Sequence, residues 1–214
     1  MKTKITITLD QARSWFMSGN EELRELALQA FGKDALVGNF RDITTFEKAC
    51  EVLGYNYDLT VSAAENIAYY SKSSAAMFKL AIIRRALNLY QEMHFAKNQK
   101  NSYLYYPYNL LVNTPEFFKD EVNSGLYRII GKVEIEGVIY NVLSGLVTYY
   151  INAGLGCFNY QTGVCNCRAD ISLFGCATKE IAEHFGNYFG MLLTEAKYAD
   201  TIKDFEIIES KYSI

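Results

Sequence analysis

Four of the five cysteines, Cys157, Cys165, Cys167 and Cys176, lie within twenty residues of one another. Four thiolates at that density could hold zinc or an iron–sulfur cluster. The spacing argues otherwise: a zinc knuckle presents C-x₂₋₄-C pairs, and this run reads C-x₇-C-x-C-x₈-C. Cys165, Cys167, Ala169, Ile171 and Leu173 also alternate with Asn166, Arg168, Asp170 and Ser172, which is the register of a half-buried strand. There a free cysteine serves as a small hydrophobe. Buried core thiols are therefore expected, with no metal and no cofactor.

Other catalytic groupings are as sparse. Only His94 and His184 supply imidazoles, neither in an H-E-x-x-H spacing. His184 reads as a helix-surface histidine, and a Cys176–His184 nucleophile pair has no local signature behind it. Leu143-Ser144-Gly145-Leu146 lacks the first glycine of a nucleophile elbow. Gly154-Leu155-Gly156 is a fragment of a phosphate loop that precedes a strand, not a helix. Glu134 and Glu136 flank a turn and read as solvated edge charges, and Glu195, Asp200 and Asp204 as exposed tail acids. No catalytic residue is assigned; an enzyme whose site assembles from distant positions stays as an alternative.

Residues suited to binding stand out more. Aromatics make up 14% of the chain, and Tyr103, Tyr105, Tyr106 and Tyr108 surround Pro107. Packing at the rim of a sheet is their plain role. If these rings faced Arg84 and Arg85, they would suit an anionic, ring-bearing ligand such as a nucleotide. A second feature is the i, i+4 series Ala182, Gly186, Gly190, Thr194. Mid-helix glycine costs about 1 kcal/mol relative to alanine, so a close neighbour is expected. A sheet or helix of the same chain would supply it, and a second copy of the chain is the alternative.

The elements that must position these groups read as α+β. Capping signals open helices at Thr8-Leu9-Asp10-Gln11, at Asn20 and at Thr44-Thr45-Phe46-Glu47, with stops at Gly19, Gly32 and Gly54. These three short helices are expected to pack together. A long helix spans Ser74 to Gln91, with Arg84, Arg85, Asn88 and Gln91 on one polar arc, lying between the short helices and a sheet. Strands follow: an edge strand near Tyr103–Tyr106 ahead of Pro107, a hairpin of Leu126–Ile135 and Val138–Ile151 about Glu136-Gly137, and a second of Leu155–Tyr160 and Val164–Leu173. A helix then runs from Lys179 to Ala196, and residues 201–214 fit either strand or helix. Short N-terminal helices and one long helix thus pack on a mainly antiparallel sheet with a C-terminal helix. Residues 1–98 form the helical part and 99–214 the sheet and last helix, within one compact domain.

Composition bounds the function. Net charge is −3 and pI about 5.5, and residues 1–54 carry seven basic against eight acidic side chains. That balance leaves no phosphate-binding footprint, so DNA is not an expected partner. Residues 72–100 are locally basic, with six Lys and Arg against Glu92. No apolar run approaches the roughly 20 residues of a membrane span, and an odd cysteine count fits reduced thiols in a cytoplasm.

Several segments carry a resemblance. Ile5–Arg13, Gly19–Leu28, Thr44–Cys50, Tyr105-Tyr106-Pro107 and the passage from Ser172-Leu173-Phe174 through Thr178–Glu183 to Gly186 and Phe189 resemble small uncharacterised proteins of gut Bacteroidetes and their phages and prophages. Together they cover about a third of the chain, and residues 113–153 have no counterpart. The resemblance implies a phage or mobile-element setting, in the host cytoplasm or the virion, and transfers no catalytic residue. The expected function is binding without catalysis, to a small anionic ligand or to a host protein. A minor structural or packaged virion protein is the alternative.

Overall fold

The computed structural model describes residues 6–17, 20–32, 35–36, 39–89, 101–152, 155–157, 175–176 and 178–212. Local chemistry opens most of the helices. Ahead of α1 (Leu9–Met17), the Thr8 N–H donates to Gln11 Oε1 at 3.1 Å and the Gln11 N–H to Thr8 Oγ1 at 3.2 Å, a reciprocal box that satisfies two orphan groups. Asn20 caps α2 (Glu21–Phe31) by accepting from the Leu23 N–H. In α3 (Phe46–Leu53) the cap is Thr45, one residue later than the Thr44 box implies, and Gly54 ends the helix at φ 69°. A helix not anticipated in the sequence, α4 (Tyr57–Ala68), starts at Asn56. The long helix α5 spans Lys72–Asn88 and begins at Ser71.

The sheet is antiparallel throughout. Its strands are β1 (Asn101–Val112), β2 (Arg128–Ile135), β3 (Val138–Asn152), β4 (Leu155–Cys157) and β5 (Phe205–Ser210). The order is β1-β3-β2-β5, and β4 pairs with the far end of β3. Glu136 at φ 51° and Gly137 at φ 78° form the two-residue turn of the β2–β3 hairpin, the geometry that matches strand twist. A 3-10 turn (Pro115–Phe118) and a short helix α6 (Lys119–Asn123) link β1 to β2. The undecided C-terminal segment contains β5, paired on β2. The second hairpin of the sequence reading falls mostly on 158–174, outside the described residues, as do Cys165 and Cys167.

The final helix, α7 (Lys179–Tyr198), lies on the sheet, α5 lies on α7, and α3 and α4 lie on α5. The long helix α5 thus lies between the short helices α3 and α4 and the layer formed by α7 and the sheet. Small residues on α7 let the strands come close to it at Gly186 and Gly190. Phe185, Phe189 and Leu192 of α7 join Leu80, Ile83 and Leu87 of α5 and Ala49, Cys50 and Leu53 of α3 in the main core. That core draws on both sides of the 98/99 boundary.

The three short N-terminal helices do not form one cluster. α1 and α2 enclose a small core of Ala12, Phe16, Ala27 and Leu36, with Trp15, Leu28 and Phe31 at its margin. α3 belongs to the main core instead. Among the described residues, no helix is long and apolar enough to cross a membrane.

Candidate functional site

The tyrosines around Pro107 sit on β1, where successive side chains face opposite ways. Tyr105 packs against the main core. Pro107 reaches Gly186 of α7, and Asn109 reaches Gly190 and Thr194. Tyr108 faces the other side, where its hydroxyl meets that of Tyr127 at 2.6 Å and its ring lies over Gly145. Tyr127 also stands edge-on to Tyr108 and Phe118. Burial, then the Tyr127 hydroxyl, holds the Tyr108 phenol above its ordinary range. The four tyrosines therefore do not make one surface: strand alternation divides them, and the Tyr103 side chain lies outside the described residues.

The two arginines part company as well. Arg84 Nε donates to the Gly175 carbonyl at 2.9 Å, whereas Arg85 donates to the Tyr55 hydroxyl at 2.7 Å and lies over its ring. Asn88, expected on a polar arc with them, is buried and donates to the Arg84 carbonyl. The structure does bring Arg84, Asn88, Tyr105 and Tyr106 together around one short segment. Cys176 exchanges both backbone hydrogen bonds with Tyr105, and Tyr106 packs on Gly175. This bridge lies on the edge of β1 away from β3. Two residues on, the ring nitrogen of Pro107 faces the same edge, where a missing N–H removes no ladder bond.

The arrangement around Cys176 suits packing. Burial pushes its thiol up to about 12, against the opposing pull of Asn88 and Arg84. Burial also raises Cys50, with Thr60 opposing. Neutral thiols are poor nucleophiles, so both serve the core at ordinary pH. His184 is not on the surface as expected. It is buried, with Nε2 2.8 Å from the Ile43 carbonyl and its ring between Phe40 and Tyr188. Cys176 and His184 are thus committed to different partners.

The small-residue series on α7 is filled by the chain's own sheet. A Cβ on Gly186 would stand 2.6 Å from Ser144 Oγ and 2.9 Å from Pro107 Cβ, and one on Gly190 would meet Ile130 Cδ1. With Ala182 also fully buried, the series packs within the chain, as the plainer expectation had it. Asn109 spans the contact, donating through Nδ2 to Thr194 Oγ1 at 2.8 Å and to the Gly190 carbonyl.

The tail acids also have definite places. Asp200 accepts from Ser71 Oγ and from the backbone N–H groups of Lys72 and Ser73, tying the end of α7 to the start of α5. The Ser71 hydrogen bond is the largest cause holding its carboxyl below the usual range. Glu195 is partly buried, and that burial raises its carboxyl.

A surface the sequence reading passed over lies on the turn between α4 and α5. Tyr69 and Tyr70 are 85% and 87% exposed and stand edge-on, ring centres 5.1 Å apart. Leu59, near the start of α4, is 71% exposed. Adjacent tyrosines just before a Ser71 helix cap were the available signal, since a cap fixes a turn and turns face solvent. No protein-family model, curated protein or solved structure matches the chain.

Proposed function

We propose that the chain is an accessory binding protein of a phage or phage-like element, and that its partner is a protein of the bacterial host rather than a small anionic ligand. The observation that carries this reading is the exposed Tyr69–Tyr70 pair. Tyrosine gives large contact area at low entropic cost and is enriched in the centres of interfaces. The small-ligand version needs Arg84, Arg85 and the β1 tyrosines on one surface, whereas Arg85 is held by Tyr55 and Tyr108 by Tyr127. The virion version drew on the Gly186–Gly190 groove, against which β1, β2 and β3 pack.

Affinity purification from host cells followed by titration of the purified partner tests the reading. Replacing both tyrosines (Tyr69→Ala with Tyr70→Ala) should weaken the complex at least about tenfold, in line with interface tyrosines that act as hot spots. The melting temperature should stay unchanged, because neither ring is buried. Equal affinity of the double variant would contradict the assignment.

A further inference from the structure

The two faces of the sheet are covered unequally. Its inner face lies on α7, where Ile130, Val133 and Val142 join Met191 in a buried cluster. On the outer face, the β1–β2 connection brings Phe118, Val122 and Tyr127 over Val112 and Leu143. That cover ends before the β2–β3 turn. Beyond it Ile139 of β3 is 52% exposed, and Ile208, at the bulge in β5, is 42% exposed. Alternation puts Glu134 on this outer face, because Val133 and Ile135 on either side of it belong to the inner cluster.

Charge distinguishes this uncovered part. One row of the pleat runs Ile139–Glu134–Glu206 across β3, β2 and β5. Two carboxylates thus stand directly opposite each other, with Cβ atoms about 5 Å apart, an arrangement that destabilises a sheet. The next row, Asn141–Lys132–Glu209, is compensated, since Lys132 pairs with Glu209. That pairing commits the lysine and leaves Glu134 and Glu206 without a cation among the described residues. No group of three potential metal ligands gathers among those residues, so the missing charge is one that a partner would carry.

We propose that the uncovered part of the outer sheet face is a second docking surface, independent of Tyr69–Tyr70, and that its occupant is a basic amphipathic helix of a partner protein. Three glutamates against Lys132 alone select a cationic partner over an acidic one. An arginine or lysine of that helix sits between Glu134 and Glu206 and turns their repulsion into a shared attraction. Arginine fits best, because its planar fork of donors can serve two carboxylates at once. The apolar side of the helix rests on Ile139 and Ile208. A helix is the natural cover, since α7 already covers the inner face and a sheet between two helical layers is a stable architecture.

Magnetic-resonance titration of the full chain with two synthetic helical peptides, one of leucine and arginine and one of leucine and glutamate, tests the proposal. The arginine peptide should shift the amides around Glu134, Ile139 and Glu206 in a saturable way, and the glutamate peptide should leave them in place. Glu206→Lys should weaken the arginine peptide at least about tenfold, the scale of a charged hydrogen bond. The same variant should raise the urea midpoint of the free protein, because an opposed pair becomes an ion pair, so lost binding cannot be lost folding. Tyr69→Ala with Tyr70→Ala should bind the peptide as the natural chain does. Unmoved amides at these positions, equal shifts with both peptides, binding indifferent to Glu206→Lys, a lowered urea midpoint in that variant, or binding lost in the tyrosine variant would overturn the assignment.

Discussion

The main core and the α1–α2 core use the same kinds of side chain and differ in how those side chains are enclosed. Around α7, apolar residues are covered from two sides, by the sheet and by α5. Phe185 and Leu80 are fully buried as a result. In the α1–α2 pair each helix has chiefly the other to cover it, and the core is confined to Ala12, Phe16, Ala27 and Leu36 among the described residues. Burial by two layers gives a core whose loss is global, whereas a helical pair gives one whose loss is local.

Substitutions that strike the two cores separately should break or sharpen that contrast. Phe185→Ala removes a ring with no exposed surface and should cost about 3–5 kcal/mol, moving Trp15 emission and ellipticity together. Gly186→Ala is next. Its Cβ would press on Pro107, whose ring cannot turn away, and overpacking of this kind costs about 1–3 kcal/mol. Gly190→Ala should cost less, because the atom it meets is the mobile end of Ile130. Phe16→Ala should cost about 1–2 kcal/mol within its own unit, near the middle of single-site effects. Its transition should shift in Trp15 emission while ellipticity barely moves.

The smallest expected change is Asp200→Asn. It weakens the cap that ties α7 to α5, so a lower melting temperature is expected at neutral pH. A lowered carboxylate contributes stability above its ordinary range and loses it as pH falls through the lowered value. The two melting temperatures should accordingly converge in strong acid, which thermal denaturation across pH would measure.

The parts of the fold legible in sequence are those settled by near neighbours. Thr8 with Gln11, Asn20 with Leu23 and the Glu136-Gly137 turn each close within three residues, so local chemistry suffices. What escaped depended on distant partners. Arg84 and Asn88 look solvated on a helical wheel, yet Arg84 meets Gly175 across 91 positions. His184 looked superficial because the carbonyl that buries it belongs to Ile43. The β1 tyrosines were grouped by proximity along the chain, although alternation puts Tyr105 and Tyr108 on opposite faces. Helix α4 was passed over because Thr60 and Val61 interrupt its pattern and its large residues Tyr57 and Leu59 are exposed.

The most direct test of the two-core account is native-state hydrogen exchange on the intact chain at neutral pH. Amides around Phe185, Phe189 and Leu192 should exchange only through global unfolding, and those around Ala12 and Ala27 through a local opening at least about tenfold more frequent. Equal protection in α7 and in α1–α2 would contradict it.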